Sequence, residues 1–183
     1  PLDAGKEVKE RFTDKTVNEL VKACFDMGEV KTGALIVIEQ NIRLNEYERT
    51  GINVDAVLTS QLLINIFEHN TPLHDGAVLV RGNRIVAATC YLPLSDNMEL
   101  SKQLGTRHRA GVGISEVSDS LTIIVSEETG QVSVAENGKL SRGLTSAELR
   151  AALVKAQNKK VINNSKLRHL LKGRMRREEN KAD

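Results

Sequence analysis

Three short stretches of this chain place reactive side chains next to small ones. The first is Leu73-His74-Asp75-Gly76-Ala77. A carboxylate beside two small residues lets phosphate groups approach the backbone closely, and His74 adds an imidazole able to ligate a metal. The second is Gly105-Thr106-Arg107-His108-Arg109-Ala110. Arginine forks match phosphate oxygens two at a time. If this segment opens a helix, its free N–H groups add to an anion site. The third is Val125-Ser126-Glu127-Glu128-Thr129-Gly130. Ser126 can donate to a phosphate, and one glutamate can ligate a divalent cation. Each stretch alone also reads as a polar turn or a solvated face. Together, carboxylates, paired arginines and hydroxyls are what a nucleoside triphosphate with Mg2+ or Mn2+ requires. The pattern supports a metal-dependent phosphate or nucleotide site and nothing narrower. GxxxxGK[ST], GxGxxG and HExxH are all absent, so the standard phosphate cradles and zinc helix are not in play.

Composition removes other classes. A chain of 183 residues predicts one domain, large enough to bury about 70% of its unfolded surface without a disulfide or metal staple. The longest run free of charge is twelve residues, 56–67, too short for a transmembrane helix. No charged-then-apolar signal segment opens the chain. It starts at Pro1 and is read as a trimmed piece of a longer protein. Cys24 and Cys90 have no CxxC spacing, which predicts two reduced, buried thiols in a cytoplasmic setting. Only five residues are aromatic, a poor stacking surface for single-stranded nucleic acid. The net charge of +2 splits into −4 over residues 1–157 and +6 over residues 158–183. A basic tail of this kind is most simply a solvated, partly disordered or helical terminus.

The elements that must position the three stretches are partly legible. Thr16 and Glu19 form a capping-box pattern ahead of a stripe of Val17, Leu20, Val21, Cys24 and Phe25. That spacing predicts a helix ending near Gly28. Residues 33–39 read as a buried strand, and 59–69 as a second helix. Two apolar runs, 77–80 and 85–92, flank Gly82-Asn83, a hairpin signal. Residues 105–117 are expected to be helical. Residues 121–125 and 131–135 are expected strands. Thr145 and Glu148 make a second capping box before a helix that runs to about 157. Strands and helices alternate irregularly, which predicts an α/β fold with a mixed central sheet and helices on both faces.

At the first two stretches the chain resembles the bacterial diadenylate cyclase family, whose hallmarks are a DGA motif, here Asp75-Gly76-Ala77, and an RHR motif, here Arg107-His108-Arg109. Their contexts, LHDGAV and GTRHRA, match as well, and SEETG follows. The resemblance is to the membrane-anchored type, whose catalytic domain follows membrane-spanning helices. It implies a catalytic domain over 1–157 and a tail over 158–183. It also implies condensation of two ATP into cyclic di-AMP with release of two pyrophosphates, at a face-to-face homodimer and with Mg2+ or Mn2+. By resemblance Asp75 activates the attacking 3′-hydroxyl, while Arg107, His108 and Arg109 bind phosphates. Gly76, Ala77, Gly105, Thr106, Ser126 and Glu128 join the ATP site. Tyr91 would stack on adenine and Leu92 would offer backbone contacts. Asp75, His74 and Glu128 are the expected metal ligands. A YbbR-domain protein and phosphoglucosamine mutase are the regulators the family suggests, and the full-length protein is expected at the cytoplasmic face of the membrane. The alternative is a nucleotide-binding regulatory module without turnover.

Overall fold

The structure is a computed structural model and describes residues 10–157. The expected basic tail and its helix lie outside the described residues. Among the described residues, five helices and seven strands follow one another as α1 (Asp14–Glu29), β1 (Ala34–Ile38), α2 (Asn45–Glu48), β2 (Ile52–Val57), α3 (Ser60–Phe67), β3 (Ala77–Arg81), β4 (Arg84–Cys90), α4 (Thr106–Val117), β5 (Leu121–Val125), β6 (Val132–Glu136), β7 (Lys139–Ser141) and α5 (Ser146–Ala156). The strands form one sheet in the order β2-β4-β3-β1-β5-β6-β7. The β1–β3 pair is parallel and the others are antiparallel. The expected mixed sheet is therefore present.

Alternation along the central strands builds two cores. Ala34, Ile36 and Ile38 of β1 face a layer that also contains Leu20 and Cys24 of α1, Leu63 of α3 and Leu149 of α5. Leu35 and Val37 face the opposite side, with Val112 and Ile114 of α4. Both β1 and β5 are buried along their whole length, as expected for strands covered on both faces.

The cap of α1 differs from the sequence expectation. Thr13, not Thr16, is the N-cap, and its side chain accepts from the Thr16 amide. Thr16 Oγ1 instead donates to Asn83 Oδ1 at 2.7 Å, and Glu19 accepts from the Ser60 amide at 2.5 Å. Both residues thus serve tertiary contacts, to the hairpin turn and to the first turn of α3. The capping box at Thr145 and Glu148 forms as its sequence indicates. The hairpin turn forms too, with Gly82 at φ 58°, as a type II′ turn requires of its first central residue.

A buried carboxylate braces the sheet. Glu39 is 5% exposed. It accepts from Arg81 Nε at 2.8 Å, from Arg81 Nη2 at 2.9 Å and from the Leu44 amide at 3.0 Å. Arg81 also meets Glu48 of α2 at 2.8 Å. Burial pushes the Glu39 pKa up, but Arg81, the Leu44 amide and Arg43 outweigh it and hold the group below the ordinary carboxylate value. A carboxyl with a depressed folded pKa stabilises fully above its unfolded pKa, and that stability is lost as pH falls through the folded value. Glu39→Ala should cost about 3 kcal/mol, as breaking a buried pair does. Urea unfolding at neutral pH would measure this loss, and the variant's stability should fall less steeply below about pH 4.5 than the parent's. An unchanged acid limb would contradict the assignment.

Candidate active site

The sheet topology gathers the three stretches at one end. Ala34 at the start of β1 pairs with Val125 at the end of β5. Ala77 at the start of β3 pairs with Cys90 at the end of β4. Because β1 and β3 are parallel, the segments 75–76, 91–92 and 126–131 emerge at the same edge. A cleft of about 610 Å³ opens there, and the N-terminus of α4 forms one wall. That volume suits one nucleotide-sized ligand.

Asp75 lies at the cleft rim, its side chain 88% exposed. Gly76 takes φ 79°. A Cβ there would stand 2.9 Å from both the Cys90 carbonyl oxygen and the Thr89 carbonyl carbon, so only glycine lets the two strands come this close. Thr89 itself has φ 55°, a conformation that is uncommon for a β-branched residue. Beyond it, Tyr91 is 80% exposed, and its amide is anchored by Thr50 Oγ1 at 2.8 Å. Leu92, nearly buried, adjoins it in the wall. The following loop is fixed to α4. The Ser95 amide donates to the Arg109 carbonyl at 3.0 Å, Ser95 Oγ bonds Glu116, and Gly113 leaves room for the Pro93 carbonyl.

Gly105 is the N-cap of α4 and offers no side chain to its first amides. Gly105, Thr106, Arg107 and His108 line the cleft. Arg109 does not. His108 is 8% exposed. Burial, then Arg142 and Arg107, hold its pKa below the usual imidazole value, with Glu128 opposing. A lowered pKa favours the neutral ring and leaves the cationic charge of the cleft to the arginines.

The turn 126–131 closes the other wall. Ser126 Oγ accepts from the Glu128 and Thr129 amides, each at 3.2 Å, which leaves its proton free to be donated. Glu127 meets Arg107 at 3.1 Å. Gly130, at φ 75°, packs directly on the backbone of Gly28 at the end of α1, so the helix seats the turn. Glu128 lines the cleft, but no three His, Cys, Asp or Glu side chains converge as a metal cluster among the described residues.

His74 contacts Asp75 but is not among the residues that line the cleft. Its Nδ1 is 2.7 Å from the Thr71 carbonyl, which can only accept, so Nδ1 carries a proton. Nε2 is 3.4 Å from Asp75 Oδ1. Ala77 is fully buried in the core beneath the cleft. Cys90 also lines the cleft, but burial pushes its thiol up to about 11, which excludes a thiolate nucleophile at neutral pH. Both cysteines are free and buried.

Sequence reasoning did not single out Thr89, Gln103 or Arg142 as cleft residues. Arg142 directly follows β7 and belongs to none of the three stretches, so no motif in the sequence points to it as a wall residue. Among the described residues no helix is long and apolar enough to cross a membrane.

Comparisons with known proteins agree with this geometry. Residues 21–140 match the DAC family model, described as DisA bacterial checkpoint controller nucleotide-binding. The chain is 52% identical over 165 residues to the cyclic di-AMP synthase CdaA of Bacillus subtilis, covering 90% of this chain and 60% of that protein. It is 50% identical over 146 residues to a diadenylate cyclase of Listeria monocytogenes, covering 80% of this chain and 54% of that protein. It thus spans little more than half the length of these relatives. A crystal structure of a DacA double mutant from Staphylococcus aureus superposes with a TM-score of 0.78 at 48% identity, over 79% of this chain and 97% of that one. A hypothetical membrane spanning protein from Bacillus cereus gives 0.70 at 46% identity, over 73% of this chain and 65% of that one. Both the DGA and the RHR stretches fall inside the matched span, and the chain belongs to the DAC, or diadenylate cyclase domain, family.

Proposed function

We propose that the chain condenses two ATP molecules into cyclic di-AMP and releases two pyrophosphates. The observation that carries this reading is one nucleotide-sized cleft with a helix N-terminus and Arg107 on its wall and an exposed carboxylate, Asp75, at its rim. In each of two steps the 3′-oxygen of one ATP bonds to the α-phosphorus of the other. The bond from that phosphorus to the pyrophosphate oxygen breaks, and Asp75 accepts the proton the hydroxyl loses. Arg107 and the free amides of α4 offset phosphate charge. Thr106 and Ser126 supply neutral donors. Tyr91 offers its ring to the adenine, and the Leu92 backbone its amide and carbonyl. Arg109 would act on phosphates only after a change of orientation.

Asp75 and His74 offer an oxygen and a nitrogen donor on one side, which fits Mn2+ or Mg2+ completed by phosphate oxygens and water. Such an ion would neutralise phosphate charge and hold the reacting groups in line. The cleft described above has room for one ATP, so the reaction needs two chains facing each other. The high exposure of Asp75 and Tyr91 supports a second chain closing over the rim. Family membership also supports attachment of the longer protein to the membrane through a segment outside this chain. It makes a YbbR-domain protein and phosphoglucosamine mutase the regulators to examine.

Chromatography of protein incubated with ATP and Mn2+ or Mg2+ should show cyclic di-AMP, with specific activity falling on dilution. ATP binding without any dinucleotide under either ion would favour a regulatory nucleotide-binding module and overturn the enzyme reading.

A further inference from the structure

Arg107 is seated in a cradle that its own sequence motif does not contain. An ideal Cβ on Gly33 would lie 2.6 Å from Arg107 Nη1, 2.7 Å from its Cζ and 3.1 Å from Glu127 Cβ. The guanidinium thus occupies the space that any side chain at position 33 would fill. Glu127 Oε2 stands 3.1 Å from Nη1. Gly33 precedes β1 and Glu127 closely follows β5, and those strands are paired at Ala34 and Val125. Two adjacent strand ends therefore clasp an arginine delivered by α4. The clasp engages one nitrogen. The Nε–Nη2 edge has no partner among the described residues, and that edge can bind two phosphate oxygens at once.

We propose that Gly33 and Glu127 are positioning residues that fix Arg107 with its Nε–Nη2 edge turned to a substrate phosphate. The inference rests on the ATP reading above, and it assigns the motif's first arginine a support of its own. Arg107 is 22% exposed and Glu127 61% exposed, so the clasp contributes orientation more than stability. A methyl group at position 33 displaces the far end of a flexible side chain rather than backbone, which leaves the fold intact.

A double-mutant cycle on the full chain tests this, with ATP affinity from calorimetry and cyclic di-AMP formation as separate readouts. Gly33→Ala should weaken ATP binding about tenfold, the scale of one charged hydrogen bond, with an unchanged melting temperature. Arg107→Ala should weaken it at least as much. The double variant should bind no worse than Arg107→Ala alone, because Gly33 acts only through that guanidinium. If Gly33→Ala melts early, Glu127→Gln in both backgrounds replaces it, with the same lack of additivity expected. Additive losses, or single variants that bind ATP like the parent, overturn the inference. A parent chain that binds ATP without forming product overturns the proposed reaction but leaves the cycle readable on affinity. A parent chain that binds no ATP overturns both.

Discussion

Asp75→Asn should lower cyclic di-AMP formation by about 10²–10⁴-fold, the range over which a general base contributes, while leaving the fold and most ATP affinity in place. The substitution keeps the size of the side chain and removes its charge. An amide oxygen accepts no proton at neutral pH and is a poorer ligand for a hard cation. The fold should not respond, because the carboxylate is 88% exposed and meets only His74 Nε2, at 3.4 Å, among the described residues. ATP should still bind, because the groups proposed to meet its phosphates belong to α4 and to the turn 126–131. Product chromatography, thermal melting and calorimetry with ATP separate the three quantities. Parent-like turnover in the variant would remove Asp75 from the chemistry. Lost ATP affinity with lost turnover would instead make Asp75 mainly a binding group.

Much of the architecture was legible because it is written locally. β1 is a short β-branched run buried on both faces, and the Gly82-Asn83 turn dictates its own hairpin. α1 carries a stripe at helical spacing. The elements that escaped are the outermost strands. β2 is mostly exposed, as are the ends of β7, so neither carries an apolar signal. The misread cap has a related cause. Thr16 and Glu19 are committed to Asn83 and Ser60, and those partners are distant in sequence. At the site, the three stretches were found because their residue types are unusual in combination. Gly33 was not, since a glycine before a strand has no meaning until the arginine lying on it is seen.

Gly76→Ala should impair catalysis by a different route and nearly as far. The residue sits at φ 79°, which costs a residue with a Cβ about 1–2 kcal/mol. The larger problem is contact. The new methyl would stand 2.9 Å from the Cys90 carbonyl oxygen and from the Thr89 carbonyl carbon, both backbone atoms, so the strands must separate. Asp75 precedes the residue that moves, and Tyr91 follows the strand that it moves against. Both walls of the rim therefore shift together. Displacement of reacting groups by about 1 Å can cost about 100-fold in rate, and that loss is expected here together with weaker ATP binding. Gly82 provides the control. It has φ 58°, its nearest atom would be the Arg11 carbonyl oxygen at 3.4 Å, and it lies in the β3–β4 turn outside the cleft. Gly82→Ala should lose a similar amount of stability from the backbone alone and retain parent-like turnover. Comparing melting temperatures with kcat for the two variants isolates the close approach of the strands from the dihedral cost. Equal turnover in both would mean that the contact between Gly76 and the Thr89–Cys90 backbone does not set the position of Asp75.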